Sequence, residues 1–327
     1  MVDISSIQKC TIFLAKAIII ICILELIVIS YQTTHDKNEQ LSNAELQNFL
    51  DGCHHVYLDV GSNIGVQIRK LFEPERYPDA PIHSYFNQNF GTIEKRKSSH
   101  PGPASFLCAI GFEPNPRHVE YLKQIEKSYN ECGWKVKFMT NSGVSDHNGI
   151  GTFYSNVKQE KLLKPFKGNE LAGGILPPTI IKDAKNHSKD NKGLNFKNIS
   201  VIRLSDFLIN IVGRRKIPEP FFNNSPPRVV MKMDIEGSEV DVIPDLIYSG
   251  GLQYINTLMI EWHERREKLQ ERKTSTKILQ IIMDSLSKHS ENIRNLSTKY
   301  DFNLVELDDE TYSNSRFVLP NCSNSFS

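Results

Sequence analysis

The sequence lacks an excess of charge of either sign: 39 Lys and Arg stand against 38 Asp and Glu in 327 residues, a formal net charge of +1. That balance removes the electrostatic basis for a nucleic-acid partner. It also lacks the cysteine spacing of a zinc site, and no metal is assigned. A glycine fingerprint for a nicotinamide dinucleotide is missing too, because glycines would be needed at 61, 63 and 66 and the chain has Asn63 and Val66. No internal repeat is visible.

What is present begins with an apolar run at residues 12–29, broken only by Lys16 and Glu25. About 18 such residues approach a bilayer span, and no small-x-small cleavage site follows. The expectation is a signal-anchor helix at 12–30 after a cytoplasmic tail at 1–11. Lys9, Lys16 and the amino terminus on its near side favour a single-pass type II orientation. A stalk at 31–42 then leads to a lumenal domain at 43–320, in the endoplasmic reticulum or Golgi, and a short tail at 321–327. Asn-x-Ser sequons at Asn186, Asn198, Asn223, Asn295 and Asn321 agree with a lumenal glycoprotein. Four cysteines lie in this domain, Cys53, Cys108, Cys132 and Cys322. One or two disulfides and buried free thiols are equally good readings of them.

Apolar strands alternate with amphipathic helices along the domain. VYLDV, FLCAIGF, WKVKFMT, RVVMKMDI and NTLMIEWH read as strands, and IGVQIRKLF, NPRHVEYLKQIEKSY and SEVDVIPDLIYSGG as the segments between them; the HNG in SGVSDHNGIGTFYS suggests a turn into another strand, and ISVIRLSDFLINIV reads as a strand into a short helix. Pro244 predicts that the last of these helices kinks or starts late. Such alternation predicts an α/β fold with a doubly wound, mostly parallel sheet. FNLVELD and SRFVLPN predict an antiparallel pair at its C-terminal edge. Residues 73–105 and 156–198 show no sustained period and read as inserted surface loops, the second with LAGGILPP as its one apolar knot.

In such a sheet, ligands sit at the carboxyl ends of the strands, where the strand order reverses. Those ends carry polar groups: Asp59-Val-Gly61-Ser-Asn63-Ile-Gly65, then Glu113, Asn141 to Asp146, Asp234-Ile-Glu236-Gly237-Ser-Glu239, and Glu261-Trp-His263. Helix caps would account for any one of them. The pattern D-x-G-x-N-x-G after a first strand fits S-adenosyl-L-methionine, whose amino-acid portion can cross a turn closely. Gly61 and Gly65 leave the backbone open, N–H groups near Asn63 face the carboxylate, Asp59 accepts from the ammonium group, and Glu113 can take both ribose hydroxyls.

In this order DVGSNIG, GFEPNP, GVSDHNG, VIRLSDFL, KMDIEGSE and IEWH resemble the FkbM-type family of S-adenosylmethionine-dependent methyltransferases, from about Val56 to His263. The resemblance implies a Rossmann-like class I methyltransferase acting on an oxygen nucleophile. It carries Asp59, Gly61, Asn63 and Gly65 over as the cofactor turn, Glu113 as the ribose acid, and Ser145 and Asp146 as the segment near the adenine. Asp234, Glu236 and Glu239 match the signature after the fourth strand. A hydroxyl on a glycan, a lipid or a small molecule is the expected acceptor, with the base drawn from Asp234, Glu236, Glu261 and His263. The alternatives are a type II Golgi glycosyltransferase that uses the Asp234-Ile-Glu236 acidic pair and a protein that binds the cofactor without turnover.

Overall fold

The structure is a computed structural model, and it describes residues 43–97, 107–156, 174–176, 194–217, 226–263, 277–288, 301–309, 311, 318–320 and 322. The chain divides into two compact units, 1–46 and 47–327, and the sheets belong to the second. The expected anchor at 12–30 lies outside the described residues. Among those described, no helix is long and apolar enough to cross a membrane.

Six strands form the main sheet: β1 (His55–Val60), β2 (Leu107–Glu113), β3 (Lys135–Thr140), β8 (Val229–Met233), β9 (Thr257–Ile260) and β10 (Asn303–Glu306). Their order is β10-β9-β8-β1-β2-β3, and every pairing is parallel. β1, β2 and β8 are buried along their whole lengths, as central strands covered on both faces must be, and this is why they read as continuous apolar runs. From β1 the chain moves outward through β2 and β3, then returns to β8 on the other side. The order therefore reverses between β1 and β8, which places the loops after these two strands side by side.

At the C-terminal edge, the expected antiparallel pairing of FNLVELD with SRFVLPN falls largely outside the described residues. β10 joins β9 in parallel, Asn303 opposite Thr257 and Glu306 opposite Ile260, and residues 315–317 of the anticipated partner lie outside the described residues. The helical crossover that a parallel connection needs includes the described helix at 277–288. A second sheet has the order β4-β7-β5-β6 and is built from β4 (Ser142–Ser145), β5 (Gly149–Asn156), β6 (Gly174–Leu176) and β7 (Leu194–Arg203); β5 follows the expected HNG turn and β7 ends in the expected ISVIR strand, while their assembly into a separate sheet was not foreseen. The segment 156–198 is accordingly not one loop: β6 falls on its apolar knot and β7 begins inside it.

The insertion at 73–105 is not a loop either. It contains a 3-10 turn at Pro74–Arg76 and helices Ile82–Phe90 and Ile93–Lys97. Ile82, Phe86 and Phe90, spaced by four, enter the core, and Phe86 meets the Tyr57 ring of β1 edge-on at 5.1 Å. Around this core run helices Val66–Phe72 and Val119–Glu131. The C-terminal segment clasps the first of them: Lys70 and Asp309 form a buried ion pair at 2.7 Å, and Arg69 donates to the Val318 carbonyl at 2.7 Å. Breaking a buried pair of this kind costs about 3–5 kcal/mol. Disulfides Cys53–Cys108 and Cys132–Cys322 join the base of β1 to β2 and the end of helix Val119–Glu131 to the tail. Helix Glu239–Ser249 starts directly at Glu239 and runs on through Pro244.

Candidate functional site

Beyond β1 the chain turns through Gly61 (φ 93°), Asn63 (φ 51°) and Gly65 (φ 77°) into the helix that begins at Val66. The N–H groups of Gly61 and Ser62 both donate to the Phe112 carbonyl at 3.1 and 2.9 Å, which leans the turn on β2. Glu113, buried at the end of β2, closes it from the other side. One carboxylate oxygen accepts from Asn63 N–H at 2.7 Å and the other from Asn115 N–H at 2.8 Å. The N–H at Asn63, expected to face a ligand carboxylate, is thus engaged by Glu113. His118 Nδ1 also lies 3.3 Å from the oxygen that meets Asn115, and the carboxylate retains capacity for further donors.

The space beside Gly61 belongs to the neighbouring loop. A Cβ there would lie 1.8 Å from the Asp234 carbonyl oxygen, and one at Gly65 would press on Leu122, Ile125 and Phe138 at 3.1–3.2 Å. Side chains are absent from this turn in large part because other parts of the protein occupy their places. Gly111 was missed for the same reason: its missing Cβ makes room for the Ser62 hydroxyl, 2.4 Å from where that atom would be.

Asp59 points into the protein, 1% exposed, and both its carboxylate oxygens are without a hydrogen-bond partner among the described residues. Burial, reinforced by Glu113, pushes its pKa up to about 7 against the nearby Ser62 hydroxyl and the fields of Lys232 and Lys70; that hydroxyl donates to the Asp59 backbone carbonyl at 2.9 Å and leaves the carboxylate oxygens without a bond. Lys232 stands opposite Asp59 in the β1–β8 register. It is 2% exposed in its side chain and reaches Glu261 at 3.5 Å and Asp234 at 3.9 Å. Lys232 is not among the candidates read from the sequence, although a lysine within the buried run VVMKM is itself a signal.

After β8, Glu236 (φ 60°) and Gly237 (φ 100°) bend the chain into the helix starting at Glu239. The Glu239 carboxylate folds back over this bend and accepts from Ile235 N–H at 2.9 Å and Gly237 N–H at 2.8 Å. His263, just past β9, sits among four carboxylates. Its Nδ1 is 3.1 Å from Glu239, and its Nε2 lies 3.4 Å from Asp234, 3.4 Å from Glu236 and 3.5 Å from Glu261. Burial disfavours the imidazolium, but the hydrogen bonds to Glu239 and Glu261 and the nearby carboxylate charges outweigh it and raise its pKa to about 10. This arrangement favours the imidazolium of His263 over the neutral ring that a base role requires.

Asp234 moves the other way: burial, reinforced by Glu261 and Glu236, lifts it to about 7 against Lys232 and His263. Contact with His263 lowers Glu261, with Lys232 adding to the effect against burial. Of the four residues proposed as base, Asp234 has the protonation behaviour that the role requires near neutral pH. Asp234, Glu236 and His263 also each offer one ligand-type atom, all within 4.8 Å of one another, a grouping not foreseen when no metal was assigned. In the folded chain these carboxylates face two cations of the protein itself, Lys232 and His263.

The structure thus brings the post-β1 turn, Glu113 and the Asp234–His263 cluster together at the carboxyl ends of neighbouring strands, with Asp234 N–H donating to the Val60 carbonyl at 2.9 Å. Ser145 and Asp146 lie at the end of β4 in the second sheet. The Ser145 hydroxyl donates to Asp146 at 3.0 Å, and His147 Nδ1 lies 2.7 Å from the same carboxylate oxygen. A family model described as the Methyltransferase FkbM domain matches residues 59–304. No curated protein and no solved structure matches the chain.

Proposed function

Because the chain belongs to the FkbM methyltransferase family, we propose that it carries a methyl group from S-adenosyl-L-methionine to a hydroxyl, with Asp234 as the base. The observation that carries this reading is the unpaired, buried Asp59 carboxylate beneath the turn, which suits the ammonium group of the cofactor's methionine part. Glu113 fits the ribose hydroxyls, since a carboxylate that already accepts two backbone N–H groups can accept two more donors. Gly61, Asn63 and Gly65 shape the turn, and Ser145 and Asp146 are assigned to the adenine side. When bound, the cofactor supplies a methyl group on a sulfonium, a reactive electrophile.

The residues of the chain do the rest. Asp234, poised near pH 7, takes the proton from the acceptor hydroxyl as its oxygen attacks. His263 and Lys232 hold the neighbouring carboxylates by charge. Glu236 and Glu261 line the acceptor side and orient the nucleophile, because in-line displacement depends on alignment. The methyltransferase family replaces the glycosyltransferase reading of Asp234-Ile-Glu236.

The acceptor is assigned as a hydroxyl of a glycan, lipid or small molecule, met by a domain tethered through the 12–30 segment. Two disulfides support a lumenal, oxidising compartment. Calorimetry on the full-length chain tests the cofactor, and mass spectrometry of cell-extract fractions incubated with labelled cofactor tests the transfer. Asp234→Asn is expected to bind the cofactor within about threefold of the wild type and to transfer methyl about 10²-fold more slowly. Absence of cofactor binding defeats the proposal, whereas binding without a methylated product favours the inactive cofactor-binding protein.

A further inference from the structure

We propose that Glu239 is a positioning residue that fixes the loop after β8 and the imidazole of His263 in one arrangement, so that Asp234 and His263 Nε2 face each other. This rests on the assignment of Asp234 as base. A glutamate at the first position of a helix commonly faces solvent, where it interacts with the helix dipole. Glu239 is instead 1% exposed and turned back over the preceding bend.

Its two backbone bonds, to Ile235 and Gly237, flank Glu236, whose φ of 60° is unfavourable for a residue with a side chain. The carboxylate thus holds the N–H groups of the residues before and after the strained one. Capping would explain these two bonds. It does not explain the third, from Glu239 Oε1 to His263 Nδ1 at 3.1 Å, which reaches 24 positions along the chain to the end of β9.

With Nδ1 engaged, the ring can present only Nε2 to Asp234, Glu236 and Glu261. Four carboxylates face the ring, Asp234, Glu236, Glu239 and Glu261, while Lys232 faces Asp234 and Glu261 from below. Glutamine at 239 would offer one acceptor and one donor in place of two acceptors. Its amide nitrogen would oppose an N–H group whichever way it turned.

The test follows the His263 ring by nitrogen NMR on the ¹⁵N-histidine-labelled full-length chain in lipid nanodiscs, with the signal assigned by its loss in His263→Gln. In the wild type the ring stays doubly protonated at pH 8.5. In Glu239→Gln its titration midpoint falls by at least one pH unit, a tenfold loss of proton affinity, while cofactor binding by calorimetry stays within about threefold. kcat falls at least tenfold with little change in KM, and the acid limb of the pH–rate profile moves. Glu239→Asp, which keeps the charge, recovers part of the midpoint, and it serves as the probe if Glu239→Gln does not fold.

A folded Glu239→Gln whose His263 ring nitrogens keep the wild-type shifts and titration midpoint overturns the proposal. The imidazole readout needs no acceptor. It therefore decides the role of Glu239 even where no methyl transfer is found, which would count against the base assignment instead.

Discussion

The two loops at the switch point of the sheet have the same plan and opposite contents. Each leaves a buried strand, passes through residues of positive φ, Gly61, Asn63 and Gly65 in one and Glu236 and Gly237 in the other, and enters a helix. Each is pinned by a buried glutamate that accepts two backbone N–H groups, Glu113 in the first and Glu239 in the second. The first loop is otherwise held by close packing and contains a single buried, unpaired carboxylate. The second is crowded with charge, four carboxylates around one imidazole with a lysine beneath. The comparison suggests a division of labour: a close-packed turn that holds the cofactor in place beside an electrostatic cluster that tunes a proton.

If packing holds the first loop, a single methyl group at Gly61 should break it. A Cβ there overlaps the Asp234 carbonyl, backbone against backbone, at a φ that L residues avoid, so neither side can yield cheaply. Gly61→Ala is expected to lower stability by more than about 4 kcal/mol, in the range reserved for severe lesions. Urea denaturation measures it. A loss under 1 kcal/mol would mean that the two loops are not wedged together.

The same contrast decides what could be read from the sequence. DVGSNIG and KMDIEGSE were legible because a strand, its glycines and its terminal acid are neighbours in the chain, so local pattern carries the information. Asp59, Glu113, Asp234 and His263 could therefore be singled out, and they fall at the carboxyl ends of β1, β2, β8 and β9. Features that depend on distant pairing were not legible. The disulfide partners of Cys53 and Cys132, the four-residue strand Ser142–Ser145 and the parallel docking of β10 are set by residues far away in the sequence. Helix Ile82–Phe90 was hidden by its composition: IHSYFNQNF contains few strong helix formers, and burial of its aromatic residues overrides that weak propensity. Proximity to a cofactor was inferred for Gly61, where the Asp234 carbonyl supplies a sufficient cause.

Asp59 sharpens the comparison through pH. Its folded pKa of about 7 lies above the ordinary 3.8, so between those values the folded state holds a proton that the unfolded state has lost. Stability due to this group is complete below pH 4 and falls as pH rises to 7. Asp234 adds a slope in the same window. His263, raised from 6.5 to about 10, contributes stability that is full below 6.5 and disappears as pH climbs to 10. Asp59→Asn should remove only its own share of the lower slope. At pH 8 the cofactor-free variant is expected to be more stable than the wild type by about 3 kcal/mol, below the limit of about 4 kcal/mol that 1.36 kcal/mol per pKa unit sets for a rise from 3.8 to about 7, and to bind the cofactor less tightly. Equal stability at pH 5 and pH 8 in the wild type would refute the buried, unpaired carboxylate.

Gly237→Ala gives the smallest effect and the cleanest contrast with Gly61→Ala. Both positions have φ near +100°, 93° at Gly61 and 100° at Gly237, so the dihedral penalty for an L residue is similar. They differ in what lies beyond: nothing is within 4 Å of a Cβ built at Gly237. The substitution should therefore cost only the conformational term, about 1 kcal/mol. That leaves a gap of about 3 kcal/mol between the two alanines, which isolates the contact with the Asp234 carbonyl from the strain of the turn. Parallel thermal and urea melts of the two variants would show the gap directly. If Gly237→Ala proves as damaging as Gly61→Ala, the second loop is held by the shape of its backbone as much as by the charges of Glu239 and His263, and the contrast between the loops collapses.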